Sequence, residues 1–193
     1  MIRPRRAVLF LLLVKGGILA AWSTPVVIDF ASSSPHEFEL RSDGYANPHA
    51  QPRLTTVDIR EYSSSYPVLE ARLPFSPLGE YGYFVLAPKN RIRLEALHSV
   101  RSLALSVFGR AERIGVSVLL EDSEGAAFEF FMGYLDFDGR RELYYRLHYA
   151  GDVEVVQPVF VALVFYAPAA RYPRYSESVV CLQKLELDGD SLP

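Results

Sequence analysis

Apolar and polar residues alternate with a period of two along most of the chain after Val26. Leu103–Val107 and Ile114–Leu120 each place aliphatic residues at every second position. Phe128–Tyr134 repeats the pattern with aromatic residues, after the turn-forming segment Asp122–Gly125. Because successive side chains of a strand point to opposite faces, this period predicts β-strands rather than helices. These three segments are predicted to form an antiparallel meander.

Two segments near the carboxyl end have distinct patterns. Val159–Tyr166 is apolar at every position, which is typical of a strand covered on both faces and predicts a place in the middle of a sheet. Val179–Leu187 alternates, and its pattern puts Cys181 on the apolar side together with Leu185. Asp188–Asp190 has glycine at its centre and is predicted to be a turn that ends the fold.

Weaker strand signals lie earlier in the chain, separated by connections rich in proline and serine. They cover Val26–Phe30, Leu54–Ile59, Val68–Leu73, Tyr83–Leu86 and Ile92–Leu97. About ten strands without a long helix predict two antiparallel sheets packed face to face. We therefore expect an all-β, jelly-roll-like β-sandwich, similar in class to carbohydrate-binding modules and galactose-binding-like domains.

The first 23 residues have the order of regions found in an export signal. Three arginines precede the apolar run Ala7–Val14, and Ala21-x-Ser23 matches a small-residue cleavage site. The apolar run is shorter than the roughly 20 residues of a membrane-spanning helix. We expect cleavage after Ser23, so that the leader meets the membrane only transiently. Residues 24–193 are then expected to form a single periplasmic domain.

Charge and cysteine content exclude several classes of protein. The chain carries 20 basic and 23 acidic residues, and four of the basic ones lie in the leader, which has no acid. The predicted mature chain is therefore acidic and lacks the electrostatic attraction that binding to nucleic acid requires. The single cysteine, Cys181, excludes an internal disulfide and a four-thiolate zinc site.

No combination of residues predicts catalysis or a cofactor. The four histidines lie in separate segments without metal-binding spacing; they are His36, His49, His98 and His148. The sequence contains no nucleophile elbow and no glycine-rich phosphate loop. Asp29 together with Gln183 or Glu186 offers too few oxygen ligands for calcium. We expect a non-catalytic protein that binds no metal.

Three successive segments carry a family resemblance. Ser102–Gly109 ends in a glycine turn, and Ile114–Gly125 closes on an acidic turn that contains glycine. The third segment contains Gly133-x-Leu135-x-Phe137-x-Gly139. In order and spacing these segments resemble the spirochaete flagellar filament outer-layer proteins, the FlaA sheath family, whose corresponding element reads G-x-L-x-F-x-G-W. Arg140 stands at the position of the tryptophan.

The resemblance extends over about residues 67–190. It includes Pro158–Tyr166 and the last strand, where Leu182 or Gln183 replaces an aspartate that is usual in the family. It implies a divergent FlaA-like structural protein of the periplasmic flagellum. Such a protein coats or binds the flagellar filament core together with other sheath proteins.

An exported carbohydrate-binding module of the same fold is the alternative function. The chain contains 12 tyrosines, and a sandwich that presents tyrosines on an exposed face or rim can bind sugars or protein. The two functions differ in partner, because the first requires a filament and the second a carbohydrate.

The connection from Pro168 to Ser176 is the predicted partner-binding segment. Its two prolines exclude it from a hydrogen-bonded ladder, so we expect it at the surface at one end of the sandwich. Within an acidic chain it carries no acid, and tyrosine and arginine are the residue types that most often anchor protein interfaces. The predicted contact residues are Arg171, Tyr172, Arg174 and Tyr175.

Overall fold

The computed structural model describes residues 25–42, 51–61, 63–75, 82–147, 154–167 and 177–191. These residues form β-strands and one short 3₁₀ turn, Pro35–Glu37. The strands are β1 Val26–Asp29, β2 Phe38–Ser42, β3 Arg53–Glu61, β4 Ser64–Leu73, β5 Tyr83–Pro88, β6 Ile92–Arg93, β7 Leu97–Arg110, β8 Gly115–Glu121, β9 Ala127–Tyr134, β10 Asp138–Arg146, β11 Val159–Tyr166 and β12 Ser178–Ser191.

The strands form two antiparallel sheets. The first sheet has the order β10-β7-β12-β4-β3, and β1 pairs with β12 beyond the end of β4. The second sheet has the order β2-β5-β11-β8-β9, and β6 pairs with β11 beyond the end of β5. The predicted all-β sandwich with two antiparallel sheets is confirmed. The apolar strand Val159–Tyr166 lies at the centre of the second sheet, as its pattern predicted.

One continuous apolar core lies between the sheets. The first sheet contributes Leu103 and Leu105, and the second contributes Val118 and Phe165, all completely buried. The faces predicted for β7 and β8 are thus confirmed, because their alternate aliphatic residues point into this core. Burying whole aliphatic and aromatic side chains is the main stabilising term in such a fold, at about 1.5–3 kcal/mol for each.

The predicted meander of three consecutive strands is wrong. β7 pairs with β10 and β12 in the first sheet, whereas β8 pairs with β9 and β11 in the second. Between β7 and β8 the chain crosses from one sheet to the other, with Ala111 and Arg113 both in the left-handed region at φ 55°. A period of two identifies the residues that face the core, but not the sheet to which a strand belongs.

The last strand also differs from its prediction. The register of β12 against β7 shifts between Leu182 and Lys184, so Gln183 is the extra residue of a β-bulge. Cys181 therefore points away from the core that contains Leu185, although the sequence placed them on one face. Asp188–Asp190 is not a turn, because it continues the strand with Gly189 paired to Val100.

No helix in the described part of the chain is long and apolar enough to span a membrane.

Candidate functional site

The predicted partner-binding segment lies outside the described residues. Arg171, Tyr172, Arg174 and Tyr175 all belong to this part of the chain. The described chain ends at Ala167, just after β11, and resumes at Glu177, just before β12. The leader and its cleavage site at Ser23 also lie outside.

The element Gly133-x-Leu135-x-Phe137-x-Gly139 forms the crossing between β9 and β10. It runs beside the crossing between β7 and β8, and backbone hydrogen bonds join the two. The amides of Ala111 and Leu135 donate to the carbonyls of Phe137 and Ile114, each at 2.8 Å. The two crossings together connect the sheets along one side of the sandwich.

Each named residue of this element has a structural reason. Gly133 and Gly139 have φ angles of 132° and 83°, which glycine adopts without the steric cost of a side chain. Leu135 and Phe137 are buried in the core. A Cβ atom on Gly109 would lie 2.5 Å from the carbonyl oxygen of Phe137, so the first crossing also needs a glycine beside the second.

Arg140, at the family's tryptophan position, lies on the outer face of the first sheet. Its guanidinium carbon is 5.4 Å from the ring centroid of Tyr66, within range of a cation–π interaction. Tyr66 in turn contacts Phe108, with ring centroids 5.8 Å apart. Phe108 belongs to a small second apolar cluster that includes Cys181, and Tyr66 packs against this cluster.

Cys181 is a structural residue in this cluster. Burial and the neighbouring carboxylate of Glu70 raise the pKa of the thiol to about 11. The Glu70 carboxylate is itself buried and accepts a hydrogen bond from Arg72 Nε at 2.7 Å, with Arg110 Nη2 at 3.8 Å. The buried carboxylate of Glu70, which lies opposite Cys181 in the sheet, is thus paired with arginine.

Two aspartates, the calcium candidate Asp29 and the turn residue Asp122, shape the backbone near them. Asp29 Oδ1 accepts hydrogen bonds from the amides of Ala31 and Ser32, and Asp29 lies opposite Lys184 in the sheet. Asp122 Oδ1 accepts from the amides of Glu124 and Ala126 and shapes the turn after β8. Within the described ranges, no group of three or more His, Cys, Asp or Glu residues could hold a metal ion.

Four aromatic side chains lie together on the outer face of the second sheet, and we call them the aromatic row. They are Tyr83, Tyr166, Phe131 and Tyr134. The strand register places Tyr83 opposite Tyr166, Tyr166 opposite Gly115, and Gly115 opposite Tyr134. The row therefore crosses four adjacent strands at one end of the sheet, over about 14 Å at the usual strand spacing.

The rings of the row form two contacting pairs, one on each side of the glycine at its centre. Tyr83 and Tyr166 have ring centroids 6.5 Å apart, and Phe131 and Tyr134 meet edge to face at 5.2 Å. A Cβ atom on Gly115 would come within 3.2 Å of the Phe131 ring and 3.4 Å of Tyr166. Gly115 thus allows the two pairs of rings to approach each other.

Tyr134 joins the row because of an irregularity in β9. The register between β8 and β9 shifts between Val116 and Ser117, so Met132 is an extra residue beside Gly133. Phe130 and Met132 face the core, and Tyr134, which simple alternation would place with them, is 59% exposed instead. The sequence therefore missed this part of the site. The sequence signal for it is the pair of aromatic residues at outward positions, Tyr83 on β5 and Phe131 on β9.

The polar group beside the rings is the Glu129 carboxylate, which accepts a hydrogen bond from the phenol of Tyr166. Burial, together with this hydrogen bond, raises the pKa of Tyr166 to about 12. Tyr166 is thus protonated throughout the physiological range and holds Glu129 against the row. The aromatic row therefore combines flat apolar ring surfaces with hydroxyl and carboxylate groups at the edges of the rings.

A separate open cleft of about 580 Å³ lies at the opposite end of the second sheet. Arg93, Glu121, Pro158 and Val159 are among its lining residues, and Arg91 Nη1 pairs with Glu121 at 3.0 Å. Gln157, also in the lining, is in the left-handed region at φ 49°. The charged residues that line the cleft are of both signs.

Several solved structures are similar to this chain. An exo-β-agarase matches with a TM-score of 0.53 and 10% identity, over 86% of this chain and 25% of the agarase chain. A family 61 carbohydrate-binding module in complex with β-1,4-galactotriose has a TM-score of 0.47 and 12% identity, over 84% of this chain and 94% of the module. A family 11 carbohydrate-binding module from a Clostridium thermocellum cellulosomal cellulase has a TM-score of 0.47 and 8% identity, over 86% of this chain and 95% of the module. At such identity the likeness is one of fold alone.

No curated protein matches the chain in sequence. The family model described as flagellar filament outer layer protein FlaA matches residues 93–154. This range contains β7, β8, β9 and β10 and both crossings between the sheets. The match covers a shorter range than the resemblance over about residues 67–190, but it includes the element Gly133–Gly139. Over these residues the chain is similar to the flagellar filament outer layer protein family, FlaA, as its sequence predicted.

Proposed function

We propose that this chain is a structural, non-catalytic protein of the periplasmic flagellum of a spirochaete, which coats or binds the filament core together with other sheath proteins. The match to the outer-layer family over residues 93–154 is the observation that carries this proposal. It spans the two crossings that join the sheets, where Gly133 and Gly139 have positive φ angles and Gly109 has no room for a Cβ atom.

The charged groups are consistent with a structural role. The carboxylates of Glu70, Glu121 and Asp190 are paired with arginines, Arg72, Arg91 and Arg101 respectively. Carboxylates paired with arginine in this way support the fold.

The filament contact is assigned to Arg171, Tyr172, Arg174 and Tyr175. The strands on either side of it in the sequence are β11 and β12, the central strands of the second and first sheets. Tyrosine and arginine bury a large area on binding and keep a polar group for hydrogen bonding, which favours a protein partner.

The test is to isolate periplasmic flagella from the source cell and to quantify this chain in them by mass spectrometry. The proposal expects it in amounts comparable to a sheath subunit. A chain that is absent from the filaments but retained on polysaccharide would instead be the exported carbohydrate-binding module. Absence from both would leave neither function standing.

A further inference from the structure

We propose that the aromatic row formed by Tyr83, Tyr166, Phe131 and Tyr134 is a binding site for a neutral polysaccharide. This activity goes beyond the filament role and does not depend on it. The row lies on the outer face of the second sheet, and three of its rings are more than 40% exposed. The face of an aromatic ring is negative and attracts the weakly positive C–H groups that line one side of a sugar ring.

The shape of the row fits a linear chain of sugar rings. Its rings lie on β5, β11 and β9, with Gly115 of β8 between them, so the row is long across the strands. Along β9 it extends only over the two paired positions of Phe131 and Tyr134. The smaller side chains beside it on the same face, Ser117, Ala162 and Val164, are buried. Exposed apolar surface on this face is therefore concentrated in the rings.

The polar groups at the row fit hydroxyl-bearing ligands. Three of the four rings carry a phenol group, which can both donate and accept a hydrogen bond. The Glu129 carboxylate, fixed by Tyr166, adds a strong acceptor at the edge of the rings. A sugar ring has a face of C–H groups and hydroxyl groups around its rim. The faces of the aromatic rings and the polar groups at their edges match these two features.

Charge argues against an anionic polymer as the ligand. The positions of the row on β5, β11, β8 and β9 carry no lysine or arginine; they are Tyr83, Tyr166, Gly115 and Tyr134. In the neighbouring register β2 places Arg41 opposite Val85, and the Arg41 guanidinium is paired with the Glu39 carboxylate. The charged group that contacts a ring of the row is the Glu129 carboxylate, which repels anions.

Area argues against a protein as the principal occupant. A stable protein interface buries about 800 Å² on each partner. Four partly exposed rings supply only a few hundred Å², since a whole aromatic side chain buries about 150–250 Å². A sugar chain needs only such a narrow strip.

Affinity electrophoresis of the purified chain tests the inference. The native gels contain β-1,4-galactan, mixed-linkage β-1,3-1,4-glucan or xylan, with polygalacturonate as the anionic comparison. We expect retardation by at least one of the neutral polymers and not by polygalacturonate. No retardation in any of the three neutral gels, or stronger retardation by polygalacturonate, would overturn the inference.

Two substitutions locate the binding, with a matched control. Tyr134→Ala and Phe131→Ala should each weaken retention about tenfold, which corresponds to the loss of one stacked ring. Tyr144→Ala removes a tyrosine of the same exposure, 60% against 59%, from the other sheet, and should leave retention unchanged. Equal losses in Tyr134→Ala and Tyr144→Ala would contradict the assignment of the site.

Filament binding by the same variants separates this inference from the proposed function. Tyr134→Ala should associate with filaments as the unmodified chain does. If this variant loses filament binding while the unmodified chain binds no polysaccharide, the row docks a protein and the inference is wrong. If the unmodified chain binds polysaccharide but not filaments, the inference stands and the filament role does not.

Discussion

The two crossings between the sheets depend on glycine at three positions. Gly133 and Gly139 supply backbone angles that other residues reach only with strain. Gly109 serves differently, because its own φ angle is ordinary and the space beside it is filled by the second crossing. The two crossings thus have two physical requirements for glycine. Gly133 and Gly139 supply the backbone conformation, and Gly109 allows the close approach of the chain segments.

Replacing Gly109 with alanine should destabilise the fold. The new Cβ atom would meet the Phe137 carbonyl oxygen at 2.5 Å, and this oxygen is held by the amide of Ala111. We expect a loss of about 1–3 kcal/mol in the free energy of unfolding, as for other overpacked sites. For a chain of this size the melting temperature should fall by roughly 2–10 °C. Ser65→Ala on an exposed position of β4 is the control and should change it little.

Cys181 should not react in the native protein. Its thiol is buried and its pKa is about 11, so the reactive thiolate is scarce at pH 8. A disulfide reagent at pH 8 should label the denatured chain once and the native chain very slowly. Rapid labelling of the native protein would mean that the outer cluster opens readily.

At the scale of elements, sequence patterns identified strands well and their partners poorly. The unbroken apolar run of β11 predicted its central place because both faces of that strand are covered. Bulges at Gln183 and Met132 reversed the faces of Cys181 and Tyr134, and nothing in a period of two signals an inserted residue. The aromatic row depends on one of these bulges and on pairing across four strands, so only the folded chain assembles it.

The connection between β11 and β12 provides the test of the predicted partner contact. Tyr172→Ala combined with Arg174→Ala should release the protein from filaments and leave the melting temperature nearly unchanged, because the segment is predicted to lie at the surface. Tyr144→Ala combined with Arg146→Ala is the matched control, with the same spacing on exposed positions of β10. Filament binding that survives the first pair would place the contact elsewhere. A lower melting temperature would mean that Tyr172 and Arg174 pack against the fold.

At the scale of the whole molecule, the account requires export. The basic and apolar leader predicts cleavage after Ser23, so the mature chain should begin at Thr24. Amino-terminal sequencing of the protein from the native cell checks this directly. A chain that still begins at Met1 would be anchored by its leader and could not coat a filament freely.

Filament role and sugar binding are assigned to different residues, which adjoin in the sequence at Tyr166. The aromatic row lies on the outer face of the second sheet, while the predicted filament contact is the segment that leaves this sheet after Tyr166. A layer protein with both sites would link a filament to a polysaccharide nearby.

The most direct measurement is cosedimentation of the purified chain with filaments from a strain that lacks it. A protein that coats the filament should bind saturably, with a number of bound copies that rises in proportion to filament length. Filaments that pellet without the chain, or with a fixed few copies whatever their length, would contradict the outer-layer role.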